Sequence, residues 1–195
     1  RGNGKEVKGL DIQELADLLR GYPETQVTLN LYRSSEKKEY THTLTRRIIL
    51  VNTVEYESLE NHIGYFKISS FSKLTEKQLK RYIKQAKLEG VTGFILDLRG
   101  NPGGLLNQSV KVASHFLLKG RMVVYTQGRS ENDYREYRSL YKDSLYKMPV
   151  VVLINQYSAS ASEIVAGALR DSGNALLIGE NSYGKGSVQT IFRVS

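Results

Sequence analysis

The sequence predicts an α/β fold. Short apolar runs rich in β-branched or aromatic residues, Gly93-Phe-Ile-Leu-Asp-Leu-Arg99, Pro149-Val-Val-Val-Leu-Ile-Asn155 and Ala175-Leu-Leu-Ile-Gly179, have the length and composition of buried parallel strands. Before and between them lie segments with helical spacing: Leu79, Tyr82, Ile83 and Ala86 form one apolar stripe, and Ile164, Ala168 and Leu169 another. Glycine and serine clusters fall where strands should give way to helices.

The elements follow in order. Gly9 to Gly21 reads as a helix with Asp11 as its cap and Gly21 as its stop. Strand Gln26–Tyr32 and alternating strand Tyr40–Arg46 flank a polar turn from Ser34 to Glu39, and His42 falls on the second strand. Residues 1–47 are expected to form one unit, 48–62 a linker and 63–195 a larger core. The core carries the helix Thr75–Lys87 and the strand Gly93–Arg99, which enters a Gly100-Asn-Pro-Gly-Gly104 loop. A helix-like Ser109–Leu118, strand Arg121–Tyr125 and a polar excursion from Thr126 to Lys147 come next. The excursion is either a cover over a site or a surface helix or loop. After Asn155 come Ser158-Ala-Ser-Ala-Ser162, a helix over Glu163–Arg170 ending near Gly173, strand 175–179, a loop from Glu180 to Ser187 and strand Val188–Val194.

Composition excludes several classes. With 195 residues the chain can bury a sizeable core. No apolar run approaches the length of a membrane span, and the first residues carry no signal-peptide pattern. The absence of cysteine rules out disulfides, thiol catalysis and cysteine metal sites, and three scattered histidines argue against a metal centre. No cofactor is expected. The net charge of +8 is dispersed, as on the outer face of the Thr75–Lys87 helix, so it reads as a solvated surface and no nucleic-acid partner is expected. A segment Gly179-Glu-Asn-Ser-Tyr-Gly-Lys185 starts like a phosphate-binding loop, but Gly186 stands where Ser or Thr must hold magnesium, and a β-rich stretch follows.

The chemistry lies in the serine cluster and in Tyr183-Gly-Lys-Gly186. A serine needs a partner to remove its proton, and lysine is one such partner. The cluster sits at a strand-to-helix turn, where unpartnered helical N–H groups can stabilise an oxyanion. Lys185 between two glycines is expected to tuck its stem into a partly desolvated site that lowers its pKa. Each serine has a bland reading as a helix cap, Lys185 one as a solvated loop residue, and Asp97 with Arg99 one as a pair holding the glycine loop. Composition alone leaves Ser158, Ser160 and Ser162 equivalent. His115 is the competing base, since its helix follows the glycine loop.

These segments resemble the carboxy-terminal processing, or tail-specific, proteases, serine peptidases with a Ser/Lys dyad. The resemblance rests on Leu96-Asp-Leu-Arg-Gly-Asn-Pro-Gly-Gly-Leu105, on Ile63–Phe71, and on the serine and lysine motifs in that order. It implies a ClpP/crotonase-like core in which Ser160 is the nucleophile, Lys185 the general base and Gln189 the residue that orients the lysine. Lys185 follows Ser160 by 25 residues (185 − 160), as the family pattern requires. The oxyanion hole falls on the amides of Ala161 and Gly104, with Gly103 as the alternative. The resemblance also implies an extracytoplasmic location and protein or peptide substrates cut near their C-termini.

The N-terminal order resembles the second half of a PDZ domain, which binds peptide C-termini by strand addition. Its first half is expected to be missing and the family continues beyond Ser195, so the chain is expected to be a fragment. Two other classes fit a similar scaffold: a peptide-binding protein with a degenerate protease core, and a crotonase-like enzyme acting on a coenzyme A thioester.

Overall fold

The computed structural model of the chain describes residues 7, 9–48 and 51–189. They fall into two units that divide after Val51. In the first, Asp11 caps helix α1 (Ile12–Leu19) through a reciprocal box: its Oδ1 accepts the Glu14 N–H at 2.8 Å, while Glu14 Oε2 accepts the Asp11 N–H at 3.0 Å. Strands β1 (Gln26–Arg33) and β2 (Lys38–Thr45) form an antiparallel hairpin, each a residue or two displaced from its expected bounds. Arg46 fastens this unit together, because its guanidinium donates to the carbonyls of Leu19 at the helix end and Gln26 at the strand start.

The second unit carries a sheet of five strands in the order β3 (Val54–Leu59), β4 (Ile63–Ile68), β5 (Gly93–Asp97), β8 (Val150–Ile154) and β9 (Ala175–Gly179). Only β3 runs antiparallel to its neighbour. The crossover helices are α2 (Thr75–Leu88), α3 (Leu106–Ser114) and α4 (Ala161–Asp171). Because the strand order advances steadily in one direction, right-handed crossovers lay all three helices on one face. There α3 packs between α2 and α4. The core is that helix-facing layer. Phe66, Phe94 and Phe116 are buried in succession, Phe66 stacked on Phe94 with centroids 5.3 Å apart and Phe116 meeting Phe94 edge-on at 6.2 Å. The expected stripe of α2 points into it, with Leu79, Ile83 and Ala86 buried and Tyr82 at its margin.

Several expectations need correction. The segment 48–62 is not only a linker, since β3 lies within it and Val54 is buried. The signal was there: Val54 and Tyr56 alternate with Glu55 and Glu57, a period of two that a linker has no reason to keep. The late strands are not buried on both faces. Helices cover one side only, so Val151 and Leu153 are half-buried, and Leu176 and Ile178 on edge strand β9 are exposed. The helix after the glycine loop begins at Leu106 and stops at Ser114, earlier than expected, because His115 to Leu117 turn inward and are buried. The polar excursion contains β7 (Arg135–Arg138), which pairs with β6 (Met122–Thr126) in a separate two-stranded sheet. Val188 and Gln189 belong to no strand, and 190–194 of the expected last strand lie outside the described residues.

His115 ends α3 in a polar nook. Its Nε2 lies 3.1 Å from Glu76 Oε1, which also accepts the Tyr141 hydroxyl at 3.0 Å, and the two rings stand 4.6 Å apart. Burial lowers the His115 pKa below its ordinary 6.5; Glu76 opposes that shift, while Lys80 and Lys87 add to it. A folded state that binds the proton less tightly than the unfolded chain is stabilised fully above pH 6.5 and loses that contribution as pH falls through and below it. Urea unfolding followed from about pH 7.5 to about 5.5 should show stability declining with acidity, and His115→Gln should flatten the decline. A wild-type slope unchanged by the substitution would show that His115 is not its source.

Candidate active site

Parallel strands β5 and β8 are neighbours, with Phe94 opposite Val150 and Asp97 opposite Leu153, so the loops leaving their C-terminal ends emerge side by side. The first is the glycine loop. At its root the buried Asp97 carboxylate accepts the Arg99 N–H, three guanidinium hydrogen bonds and the Tyr65 hydroxyl at 2.6 Å. Burial alone would raise the Asp97 pKa, but the bonds from Arg99 and Tyr65 outweigh it and hold the group below its ordinary value. Burial and the neighbouring carboxylate push the Tyr65 hydroxyl up to about 12. The pair braces the loop, as the bland reading expected.

The second loop runs from Asn155 to Ser160. Ser158 and Ser162 are fully buried and donate their hydroxyls to backbone carbonyls, Ser158 to Leu98 at 2.8 Å and Ser162 to Asn101 at 2.9 Å. Both therefore hold the two loops together. Ser160 differs. It is half-buried, its hydroxyl donates to none of the described residues, and its backbone takes φ +54° and ψ −110° directly before α4. Such a conformation is costly for a residue with a Cβ, and a sharp strand-to-helix turn of this kind is what projects the nucleophilic serine of α/β-hydrolases.

The glycine pair lies against this turn. A Cβ on Gly103 would sit 2.7 Å from the Ala159 carbonyl oxygen and 2.9 Å from Ser160 Cβ, and one on Gly104 would sit 2.4 Å from the Phe71 carbonyl oxygen. Both residues also have positive φ, so only glycine fits the approach. The Gly103 N–H is already engaged, donating to Asn101 Oδ1 at 2.9 Å. Among the described residues the Gly104 N–H has no acceptor, and the N–H of Ala161, first in α4, has none within its helix. Gly103 as the alternative donor is thus disfavoured in this arrangement.

Two residues with no expected role, Asn101 and Glu163, organise the site. Asn101 is fully buried. Its side chain donates to the Ile68 carbonyl and accepts from Gly103, while its carbonyl accepts from the Ala159 N–H and from Ser162. Glu163 receives four hydrogen bonds: from the Ser160 N–H (2.7 Å), the Ser182 hydroxyl (2.7 Å), the Gly184 N–H (2.6 Å) and the Lys185 N–H (2.9 Å). Burial raises the Glu163 pKa, and these donors together overcome it and keep the group below its ordinary value. Ser160 followed three residues later by Glu163 is a capping-box spacing, a legible signal for the first of those bonds. Nothing in the spacing announces the other three.

Lys185 is exposed, so the desolvation expected of it is not present here, and among the described residues no hydrogen bond joins its amine to Ser160. Gln189 is also exposed and makes no such bond to Lys185. The backbones, however, are brought together. The N–H groups of Ser160 and Lys185 meet on the same oxygen, Glu163 Oε2. His115, just past the C-terminal end of α3, bonds Glu76 and has no bond to Ser160.

The comparisons fit this arrangement. Residues 62–195 match the sequence profile of peptidase family S41. The carboxy-terminal-processing protease of Bartonella bacilliformis is 43% identical over 97% of this chain, and the carboxy-terminal processing protease CtpA of Bacillus subtilis is 42% identical over 96%. The chain spans less than half of these relatives, 44% and 40% of their lengths. A solved photosystem II D1 C-terminal processing protease is 30% identical and superposes with a TM-score of 0.63, covering 97% of this chain and 52% of that one. With the profile spanning the whole described sheet except β3, and the paired loops in place, the chain belongs to peptidase family S41.

Proposed function

We propose that this chain carries the catalytic core of a serine endopeptidase that cuts protein or peptide substrates near their C-termini through a Ser160/Lys185 dyad. One observation carries the reading: the backbone nitrogens of Ser160 and Lys185 bond to a single carboxylate oxygen at 2.7 and 2.9 Å. Their separation cannot exceed the sum of those lengths, a gap that the four-carbon stem of a lysine spans. The named activities of the similar proteases support the same reading.

In the reaction, the neutral Lys185 amine takes the Ser160 proton as the oxygen attacks the scissile carbonyl. The tetrahedral oxyanion is held by the Ala161 and Gly104 N–H groups, and the lysine then protonates the leaving amine. Water, deprotonated by the same amine, hydrolyses the acyl-enzyme. Gln189 is assigned to orient the lysine. Residues 1–47 are assigned to the second half of a PDZ domain that recruits substrate C-termini, and the protein to an extracytoplasmic compartment. No helix among the described residues is long and apolar enough to cross a membrane.

Ser160→Ala should lower cleavage of an unfolded protein substrate by at least about 10³-fold with an unchanged melting temperature. Ser158→Ala and Ser162→Ala should instead cost stability, about 1 kcal/mol each, since each removes one of the two hydrogen bonds received by a carbonyl at the loop junction. Turnover that survives in Ser160→Ala and disappears in a folded Ser158→Ala or Ser162→Ala protein would move the nucleophile.

In the whole protein, Lys185→Ala should lose nearly all activity and His115→Gln keep most of it. The reverse result, a dead His115→Gln and an active Lys185→Ala with both folded, would replace the dyad with a histidine base.

A further inference from the structure

Glu163 does more than cap a helix. A capping box needs its carboxylate to take one N–H, that of Ser160, and that bond is present at 2.7 Å. The remaining donors come from a separate segment that follows β9. The Ser182 hydroxyl and the Gly184 N–H converge on Oε1 at 2.7 and 2.6 Å, and the Lys185 N–H reaches Oε2 at 2.9 Å. Gly184 has φ +84°, which turns its own N–H and that of Lys185 to the same side, so consecutive amides form a concave anion site around the two oxygens. Two weaker ties, Tyr183 N–H to the Ser158 carbonyl at 3.0 Å and Glu180 N–H to the Ile154 carbonyl at 3.2 Å, complete the attachment of this segment. The carboxylate is therefore the junction between the turn that presents Ser160 and the loop that carries Lys185.

We propose that Glu163 is a positioning residue of the reaction: its carboxylate clips the lysine loop to the nucleophile turn and so sets the approach of the Lys185 amine to Ser160. The proposal rests on the dyad reading above. The chemistry of the group explains why a carboxylate is required. An ionised Glu only accepts, with lone pairs enough for four donors, whereas Gln presents an amide that donates. Ser182 can reverse its hydroxyl to meet such an amide. The N–H groups of Ser160, Gly184 and Lys185 cannot. The substitution Glu163→Gln puts an amide nitrogen at the position of one of the two oxygens. In the place of Oε2 that nitrogen would face two N–H groups, and in the place of Oε1 it would still oppose that of Gly184. Either way the clip opens on the lysine side, while the helix keeps its remaining contacts.

The test is a double-substitution cycle in the whole protein, with kcat and KM measured on a chromogenic peptide and residual turnover on an activated ester. Glu163→Gln should lower kcat by about 10²-fold, the size of effect expected when a catalytic group is misplaced by about 1 Å, with KM changed less than about threefold. In a Lys185→Ala background the same substitution should lower the remaining ester turnover by less than about threefold, because there is no amine left to misplace. Should Glu163→Gln not fold, Gly184→Ala takes its place: nothing lies within 4 Å of a Cβ there, so it disturbs only the φ that aims the two amides. It should lower kcat by about tenfold, again only when Lys185 is present. Wild-type kcat in folded Glu163→Gln, or an equal loss with and without Lys185, overturns the clip. Lys185→Ala with full activity overturns the dyad itself, whatever Glu163→Gln does, so the two failures are told apart.

Discussion

The parallel pairing of β5 with β8 is the constraint on which the site depends. Two neighbouring parallel strands must release their chains at the same edge of the sheet, and in open α/β sheets that edge is where ligands bind. The Gly100–Gly104 loop and the Asn155–Ser160 turn are thereby made adjacent, although about 55 residues separate them in the chain. Two loops that meet away from solvent bring backbone N–H and C=O groups that need partners. Asn101, Ser158 and Ser162 supply them: Ser158 reaches from the second loop to the Leu98 carbonyl that leads into the first, Ser162 reaches from the first turn of α4 to the Asn101 carbonyl, and Asn101 ties the first loop to β4. The polar residues buried here are thus explained by loop contact, and among the described residues no buried side-chain polar atom lacks a partner.

That accounting also selects the reactive groups. Of three serines, two spend their hydroxyls on carbonyls, and the one left is held at positive φ at the mouth of α4. Of two glycine amides, one is spent on Asn101. What remains among the described residues is the Ser160 hydroxyl and the N–H groups of Gly104 and Ala161, a hydroxyl and two amide donors of the kinds that acyl transfer uses. A carboxylate kept ionised by four donors joins this turn to the next loop. Because the donors outweigh the burial of the charge, Glu163 can act as a fixed joint near neutral pH.

Much of this was legible in the chain. The β-branched runs, the α2 stripe and the glycine-serine punctuation follow local rules, because strand and helix periods are set by backbone geometry and the side of each element that faces the core. Legibility failed where pairing or layering decided the outcome. Whether Leu176 and Ile178 are covered depends on what stacks on their side of the sheet, and the alternation of Val54 to Leu59 becomes a strand only because β4 lies beside it. The charged stretch Arg135–Arg138 is likewise a strand through its pairing with β6.

By itself the sequence determined the α/β class, the order of the motifs and the residue types needed for serine hydrolysis, since each is a property of a few neighbouring residues. Only the tertiary structure decided which serine and which glycine amide donate to no other described residue, and that Glu163 gathers Ser160 and Lys185. The physical reason is that a hydrogen-bond donor is spent by whichever acceptor the fold brings within about 3 Å, and strands adjacent in the sheet, not residues adjacent in the chain, choose that acceptor.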